Sequence, residues 1–119
     1  MALKSQADFI HSKSCYFDIV IKDSDIEISV LDSIEAYKRE GESMHHCVFS
    51  CRYYDKPDTI ILSAHDRDGN RIETIEYSLS LNKVVQSRGV CNTLSNQHER
   101  IISLVNDNAY RFIKAKESA

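Results

Sequence analysis

Residues 59–90 decide the fold, and they read TIILSAHDRDGNRIETIEYSLSLNKVVQSRGV. Residues 59–64 are rich in aliphatic and β-branched side chains, and they lead to Asp68-Gly69, a pair that favours a tight turn between two strands. A second strand is predicted over residues 72–81 and a third over residues 84–91, with a turn at residues 81–83. The stretch therefore predicts a three-stranded antiparallel meander.

Outside the meander, residues 16–22 and 26–31 have the pattern of an N-terminal β-hairpin, because the second run alternates apolar and polar side chains. Asp32 or Ser33 can cap a helix that ends at Gly41. A second short helix is predicted to start near Ser43, with four side chains on its core-facing stripe: Met44, Cys47, Val48 and Cys51.

Ser95 can cap a C-terminal helix, whose apolar face is formed by Ile101, Ile102, Val105, Ala109, Phe112 and Ile113. Strands that are grouped, and do not alternate with helices, predict an α+β domain. We expect an antiparallel sheet made of a three-stranded core meander and an N-terminal hairpin. The C-terminal helix should pack on one face, with one or two short helices before the central strands.

The turn lengths predict which side chains share a face of the sheet. A two-residue turn at residues 68–69 and a three-residue turn at residues 81–83 give these partners: His65 with Ile72, Ser63 with Thr74, Ile61 with Glu76, Ser78 with Gln86, and Glu76 with Arg88. The apolar face then carries Ile60, Leu62, Ile75, Tyr77, Leu79 and Val85. The polar face carries Ser63, His65, Thr74, Glu76, Ser78, Gln86 and Arg88.

This polar face has two interpretations. It is either the solvated side of a one-sided sheet, with a Glu76–Arg88 ion pair worth about 0.2–1 kcal/mol, or a binding site. A two-residue second turn would reverse Arg88 and bury its guanidinium without a partner, which is costly. The three-residue turn is therefore the preferred register.

The bulk properties indicate one globular domain of 119 residues, with 15 basic and 18 acidic side chains and a formal net charge of -3. Residues 1–15 are interpreted as a mobile leader and residues 16–119 as the domain. No apolar run is long enough to span a membrane, so we expect no membrane insertion and a cytoplasmic location. The four cysteines are then expected to be reduced and buried.

Three polar motifs carry a resemblance to a known family: Met44-x-His46-Cys47-Val48 after Gly41, then Thr74-Ile75-Glu76, then Gln86-x-Arg88-Gly89-x-x-Asn92. In this order, over about residues 41–105, they resemble the PcfJ-like proteins of conjugative plasmids, phages and related mobile elements. The resemblance implies no settled reaction. The chain departs from the family pattern at Cys51, where an aromatic residue is usual, and at His65, where an arginine is common.

The first functional hypothesis is a pocket for a phosphate-bearing ligand, a nucleotide or a nucleic-acid strand. Arginine binds phosphate in a bidentate way, and amides read polar edges. The candidate ligand-binding residues are Arg88, Gln86, Asn92, Thr74 and His65. His46 is the candidate proton shuttle and Glu76 its partner or the clamp on Arg88, and both are candidate catalytic residues.

Three alternatives stay open. Cys47 is a candidate nucleophile, although its place on an apolar stripe favours a core role. A zinc site from His46, Cys47, Cys51 and either Cys91 or His98 lacks the usual Cys-x-x-Cys spacing, so no metal and no cofactor are predicted. The non-enzymatic alternative is a protein-interaction module with a protein partner in a conjugation, phage or replication complex.

Overall fold

The computed structural model describes residues 2–48 and 50–119. The helices are α1 (Ala2–Lys13), α2 (Ile34–Met44), α3 (His98–Asp107) and α4 (Ala109–Glu117). The strands are β1 (Val20–Asp23), β2 (Ile26–Val30), β3 (Thr59–His65), β4 (Arg71–Ser78) and β5 (Lys83–Arg88). Short 3₁₀ turns lie at Ser14–Tyr16, Tyr53–Asp55 and Val90–Asn92. None of the described helices is both long and apolar enough to cross a membrane.

The five strands form one sheet in the order β1-β2-β3-β4-β5, and every neighbouring pair is antiparallel. The predicted α+β class, the N-terminal hairpin and the core meander are therefore confirmed. Short connections join β1 to β2, β3 to β4 and β4 to β5, because antiparallel neighbours need only a tight turn, whereas the connection from β2 to β3 contains α2.

The β3–β4 turn is longer than the two residues predicted. The backbone N of Asp66 donates to the carbonyl of Asn70 at 3.0 Å, which closes a three-residue loop around Gly69 at φ +85°. A bulge between Ala64 and His65 compensates, so His65 pairs with Arg71 and not with Ile72. The predicted partners Ser63 with Thr74 and Ile61 with Glu76 are confirmed.

The predicted pairing between β4 and β5 is wrong by two residues, but the predicted face of the sheet is right. Gln86 lies opposite Glu76, and Arg88 lies opposite Thr74. Ser78 pairs with Lys83 across a four-residue connection, and a bulge adds Val85 between the two halves of the ladder. Because Val85 is left unpaired, Gln86 lies opposite Glu76 and not opposite Ile75, so Gln86 and Arg88 still share a face with Glu76. Val85 itself is 45% exposed, and Val84 packs on the core in its place.

The C-terminal helix packs on the apolar face of the sheet, as predicted. Ile101, Val105 and Phe112 are buried against this face, which presents Ile60, Leu62, Ala64, Ile75 and Tyr77. The ring centroids of Tyr77 and Phe112 are 4.5 Å apart. The helix is bent at Asn108 into α3 and α4, and the bend leaves Ile113 41% exposed.

The opposite face is not simply solvated, because α1 and α2 cover part of it. Ile61 of β3 packs in a second cluster with Phe9 of α1 and Tyr37 of α2. The segment interpreted as a leader thus contains a helix with a buried phenylalanine, while its separation from the domain stays a prediction. Lys13 at the end of α1 is also buried, and its ammonium donates to the carbonyl of Lys56 at 2.8 Å.

The prediction that a helix ends at Gly41 and another begins near Ser43 is wrong. Helix α2 continues through Gly41 to Met44 and ends at His45, whose left-handed backbone (φ 53°, ψ 50°) lets its N–H reach the carbonyl of Gly41. Turns follow, so Cys47 and Cys51 are exposed while Val48 is buried. Phe49, within the predicted second helix, lies outside the described residues.

Candidate functional site

A concavity opens between the turns that follow α2 and the α2-facing side of β3, β4 and β5. Its empty volume, including the space at its mouth, is about 390 Å³, and its lining residues are His46, Cys47, Val48, Tyr53, Ile61, Thr74, Glu76, Gln86, Arg88 and Asn92. Six of the seven predicted site residues therefore line one surface. His65 does not: it borders a separate depression beside Asp66 and Arg67.

His46 belongs to a chain of hydrogen bonds that ends at a buried carboxylate. Its Nε2 lies 2.8 Å from Oγ1 of Thr74, and the Thr74 hydroxyl donates to Oε2 of Glu40. A hydroxyl has one proton, so the Thr74 oxygen accepts from Nε2–H. The neutral imidazole then carries its lone pair on Nδ1, which lies 3.5 Å from the backbone N of Val48.

Glu40 was missed by the sequence analysis, although it organises this side of the sheet. Its side chain is fully buried, and its Oε1 accepts from Oγ of Ser63 at 2.9 Å and from Nε of Arg71 at 2.7 Å. These donors compensate for the loss of water around the carboxylate. A signal was available, because Glu40 lies three residues after Tyr37 and four before Met44, on the buried stripe of α2.

We expect the pKa of His46 to lie below the ordinary value for an imidazole. Burial lowers the pKa of His46 below its ordinary value of 6.5, while the negative charge of Glu40 acts in the opposite direction. An NMR titration of the ring protons should give a pKa below 6.5, and Glu40→Gln should lower it further because it removes the charge that favours the imidazolium. His46→Ala assigns the resonance.

The sign of the accompanying stability change follows from the same pKa. The unfolded chain binds a proton at His46 before the folded protein does, so this group lowers stability as the pH falls from 6.5 to the folded pKa. A measured pKa at or above 6.5, or a higher pKa in Glu40→Gln, would contradict the proposed environment of the ring.

Glu76 contacts neither His46 nor Arg88, contrary to the role considered for it. Its carboxylate accepts from Oγ1 of Thr59 at 3.0 Å, lies 3.5 Å from Nζ of Lys56, and accepts from Nε2 of Gln86 at 2.8 Å. The Gln86 amide also donates to the Tyr53 hydroxyl at 3.1 Å. Glu76 therefore orients an amide and a phenol in the wall of the concavity.

Arg88 lines the concavity without a carboxylate partner. Its Nη1 donates to the carbonyl of Ser87 at 2.8 Å, and none of the ion pairs in residues 2–48 and 50–119 involves its guanidinium. The predicted Glu76–Arg88 ion pair is thus not formed. The reason is the register, since Thr74 and not Glu76 lies opposite Arg88.

The turn after Arg88 presents Asn92 to the concavity. Cys91 and Asn92 both adopt left-handed backbone conformations, with φ of 55° and 63°. Gly89 is needed for local packing, because a Cβ at this position would lie 3.2 Å from the carbonyl oxygen of Ile72. The missing side chain of Gly89 therefore lets its backbone lie close to strand β4 of the same chain.

A second buried carboxylate, Glu73, lies on the other face of β4. It accepts from Oγ of Ser87 at 2.5 Å, from the backbone N of Ser95 at 2.8 Å, and contacts Nδ1 of His98 at 3.0 Å. These contacts hold the β5–α3 connection against the sheet. They also include His98, which was considered with the cysteines as a zinc ligand. Among the described residues, no group of three His, Cys, Asp or Glu side chains could hold a metal ion.

The fold and the site define a class of protein: a small α+β domain with an open pocket that combines an imidazole, an unpaired guanidinium and two amides. The PcfJ-like protein family matches residues 2–102, most of the 119-residue chain. The chain therefore belongs to the PcfJ-like family. The match includes α1 and the N-terminal hairpin, and so extends beyond the three motifs. No curated protein and no solved structure matches the chain.

Proposed function

We propose that the concavity binds the phosphate group of a nucleotide or of a nucleic-acid strand. The observation that carries this proposal is the unpaired guanidinium of Arg88 in the wall of the concavity. Arginine presents several N–H donors in a planar fork that matches phosphate oxygens. An arginine that is not neutralised by its own protein is available to an external anion.

The neighbouring charges are already balanced. Glu40 is paired with Arg71 at 2.7 Å, and Glu76 lies 3.5 Å from Lys56. Burial favours the neutral form of His46 by lowering its pKa. One positive charge, on Arg88, therefore remains in the wall, which suits a singly charged phosphodiester. The net charge of -3 over the whole chain means that attraction to such a ligand is local and not long-range.

The other lining groups can contact polar groups of the ligand that lie beside its phosphate. Gln86 and Asn92 supply amides, and Tyr53 supplies an aromatic ring. His46 supplies a proton acceptor at Nδ1, because its Nε2–H is directed to Thr74; a hydroxyl or water would displace the long hydrogen bond of 3.5 Å that Nδ1 accepts from the backbone N of Val48. In a reaction, the Glu40 carboxylate would stabilise the imidazolium through Thr74, and Arg88 would stabilise developing charge on phosphate oxygens.

We predict that Arg88→Ala weakens binding of a labelled short single-stranded oligonucleotide by about 10-fold to 100-fold, the loss typical for hydrogen bonds to a charged group. Fluorescence anisotropy at several salt concentrations measures the change, and wild-type binding should weaken with salt. Arg67→Ala is the matched control, because Arg67 is an exposed arginine that borders another depression. Equal affinities of wild type and Arg88→Ala would refute the proposal.

A protein-interaction module of a mobile element is the second candidate, and exposed apolar side chains favour it. Leu81, Val85, Val90 and Leu94 are 60%, 45%, 46% and 60% exposed along β5 and the segments beside it. Strand β5 is also an edge of the sheet. Co-purification of a partner that survives both Arg88→Ala and His46→Ala but not Val85→Asp would support this function over phosphate binding.

A further inference from the structure

Two cysteines lie in one turn at the rim of the concavity, and the proposed phosphate site uses neither of them. Cys47 and Cys51 are both exposed, and the backbone N of Cys51 donates to the carbonyl of Cys47 at 2.7 Å. Such an i to i+4 hydrogen bond closes a single α-turn. Residues that far apart in an α-turn have Cα atoms about 6 Å apart, within the range that a disulfide requires.

The two thiols also interact with each other. A hydrogen bond between the side chains of Cys47 and Cys51 raises the pKa of the Cys47 thiol. Together with the backbone hydrogen bond of the turn, this interaction indicates that the two side chains lie near each other. The turn lies on the surface, so its backbone is free to adjust as a bond forms.

We propose that Cys47 and Cys51 are a modification site that reacts with low-molecular-weight disulfides and closes an internal disulfide. A thiolate of the pair attacks the small disulfide, forms a mixed disulfide and releases one small thiolate. The second cysteine, after losing its proton, attacks the protein sulfur of the mixed disulfide and releases the other small thiolate. Two electrons pass to the small disulfide, and the two protons of the pair end on the two small thiols.

The modification would change the wall of the concavity, since Cys47 lies in that wall between His46 and Val48. The reaction itself depends only on the turn and the two sulfur atoms. It can therefore be tested without any ligand, and its result is independent of whether the concavity binds phosphate.

The test exposes the full chain to oxidised glutathione at about pH 8.5, where more thiolate is present. Free thiols are then alkylated, and the protein is digested with trypsin. Cleavage after Arg39 and Arg52 yields residues 40–52, a single peptide that contains both cysteines. We expect this peptide to be lighter by two hydrogens and not alkylated, with the internal disulfide exceeding the mixed disulfide by about tenfold or more because the second thiol is held nearby.

Three single variants complete the test. Cys47→Ser and Cys51→Ser should each leave a glutathione adduct on the remaining cysteine, and Cys91→Ser should behave as the wild type. The proposal is overturned if the wild-type peptide carries glutathione on its cysteines without closing the disulfide. It is equally overturned if that peptide stays fully alkylated while exposed Cys91 reacts.

Discussion

Replacement of Glu40 by alanine should lower the free energy of unfolding by about 3–4 kcal/mol. Glu40 is fully buried and accepts from the side chains of Ser63, Thr74 and Arg71. Removal of the carboxylate leaves two hydroxyls without this acceptor and leaves the Arg71 charge without its partner. Chemical denaturation followed by circular dichroism measures the change.

Glu42→Ala is the matched control for this loss. Glu42 belongs to the same helix and is exposed, so its replacement should change stability by less than about 0.5 kcal/mol. A double-mutant cycle between Glu40→Ala and Arg71→Ala should show coupling, because the two groups share one hydrogen bond. Equal stabilities of the Glu40 and Glu42 variants would show that the buried carboxylate does not stabilise the fold.

Replacement of Glu73 by alanine should cost about 3 kcal/mol, for a related reason on the other face of β4. The variant leaves the hydroxyl of Ser87 and the backbone N of Ser95 without their buried acceptor. Thermal or chemical unfolding measures the effect. Glu99→Ala, at an exposed position of α3, is the control and should be close to wild type.

The pH dependence gives a second measurement on Glu73. Burial would raise the pKa of Glu73, but hydrogen bonds from Ser87, Ser95 and His98 outweigh it, and the folded pKa lies below the ordinary value of 4.5. Its contribution to stability is therefore present above pH 4.5 and lost as the pH falls through the folded pKa. The stability difference between wild type and Glu73→Gln should shrink over that range. A difference that grows on acidification would contradict the lowered pKa.

The strands and the C-terminal helix could be predicted from the sequence because their side chains follow regular periods. Ile75 and Tyr77 alternate with polar residues, and they are buried on one face together with Ile60 and Leu62, as expected. The end of α2 was predicted wrongly because Gly41 was interpreted as the residue that ends the helix, and the buried Glu40 beside it was not considered. A buried carboxylate is stabilised by partners distant in the chain, and a local pattern contains no information about them.

Most residues of the candidate site could be predicted from the sequence, but the contacts among them could not. His46, Glu76 and Arg88 do line one concavity, yet their expected contacts with one another are absent from the described structure. The pairing of β5 with β4 depends on the bulge at Val85, and nothing in the neighbouring residues distinguishes a bulge from an ordinary strand position. Glu40 and Tyr53 join the site through α2 and a 3₁₀ turn, whose placement over the sheet requires tertiary packing.

The bulge at Val85 has a consequence for how this hairpin can vary in length. Side chains alternate between the two faces of a strand, and Val85 is the unpaired residue between Val84, which lies opposite Tyr77, and Gln86, which lies opposite Glu76. Deletion of that one position would remove the bulge and leave Gln86 opposite Glu76 and Arg88 opposite Thr74, in a regular ladder. The hairpin should therefore tolerate the loss of this one residue, because only a shift of the β4–β5 pairing by one residue would move the amide and the guanidinium to the helix-packed side.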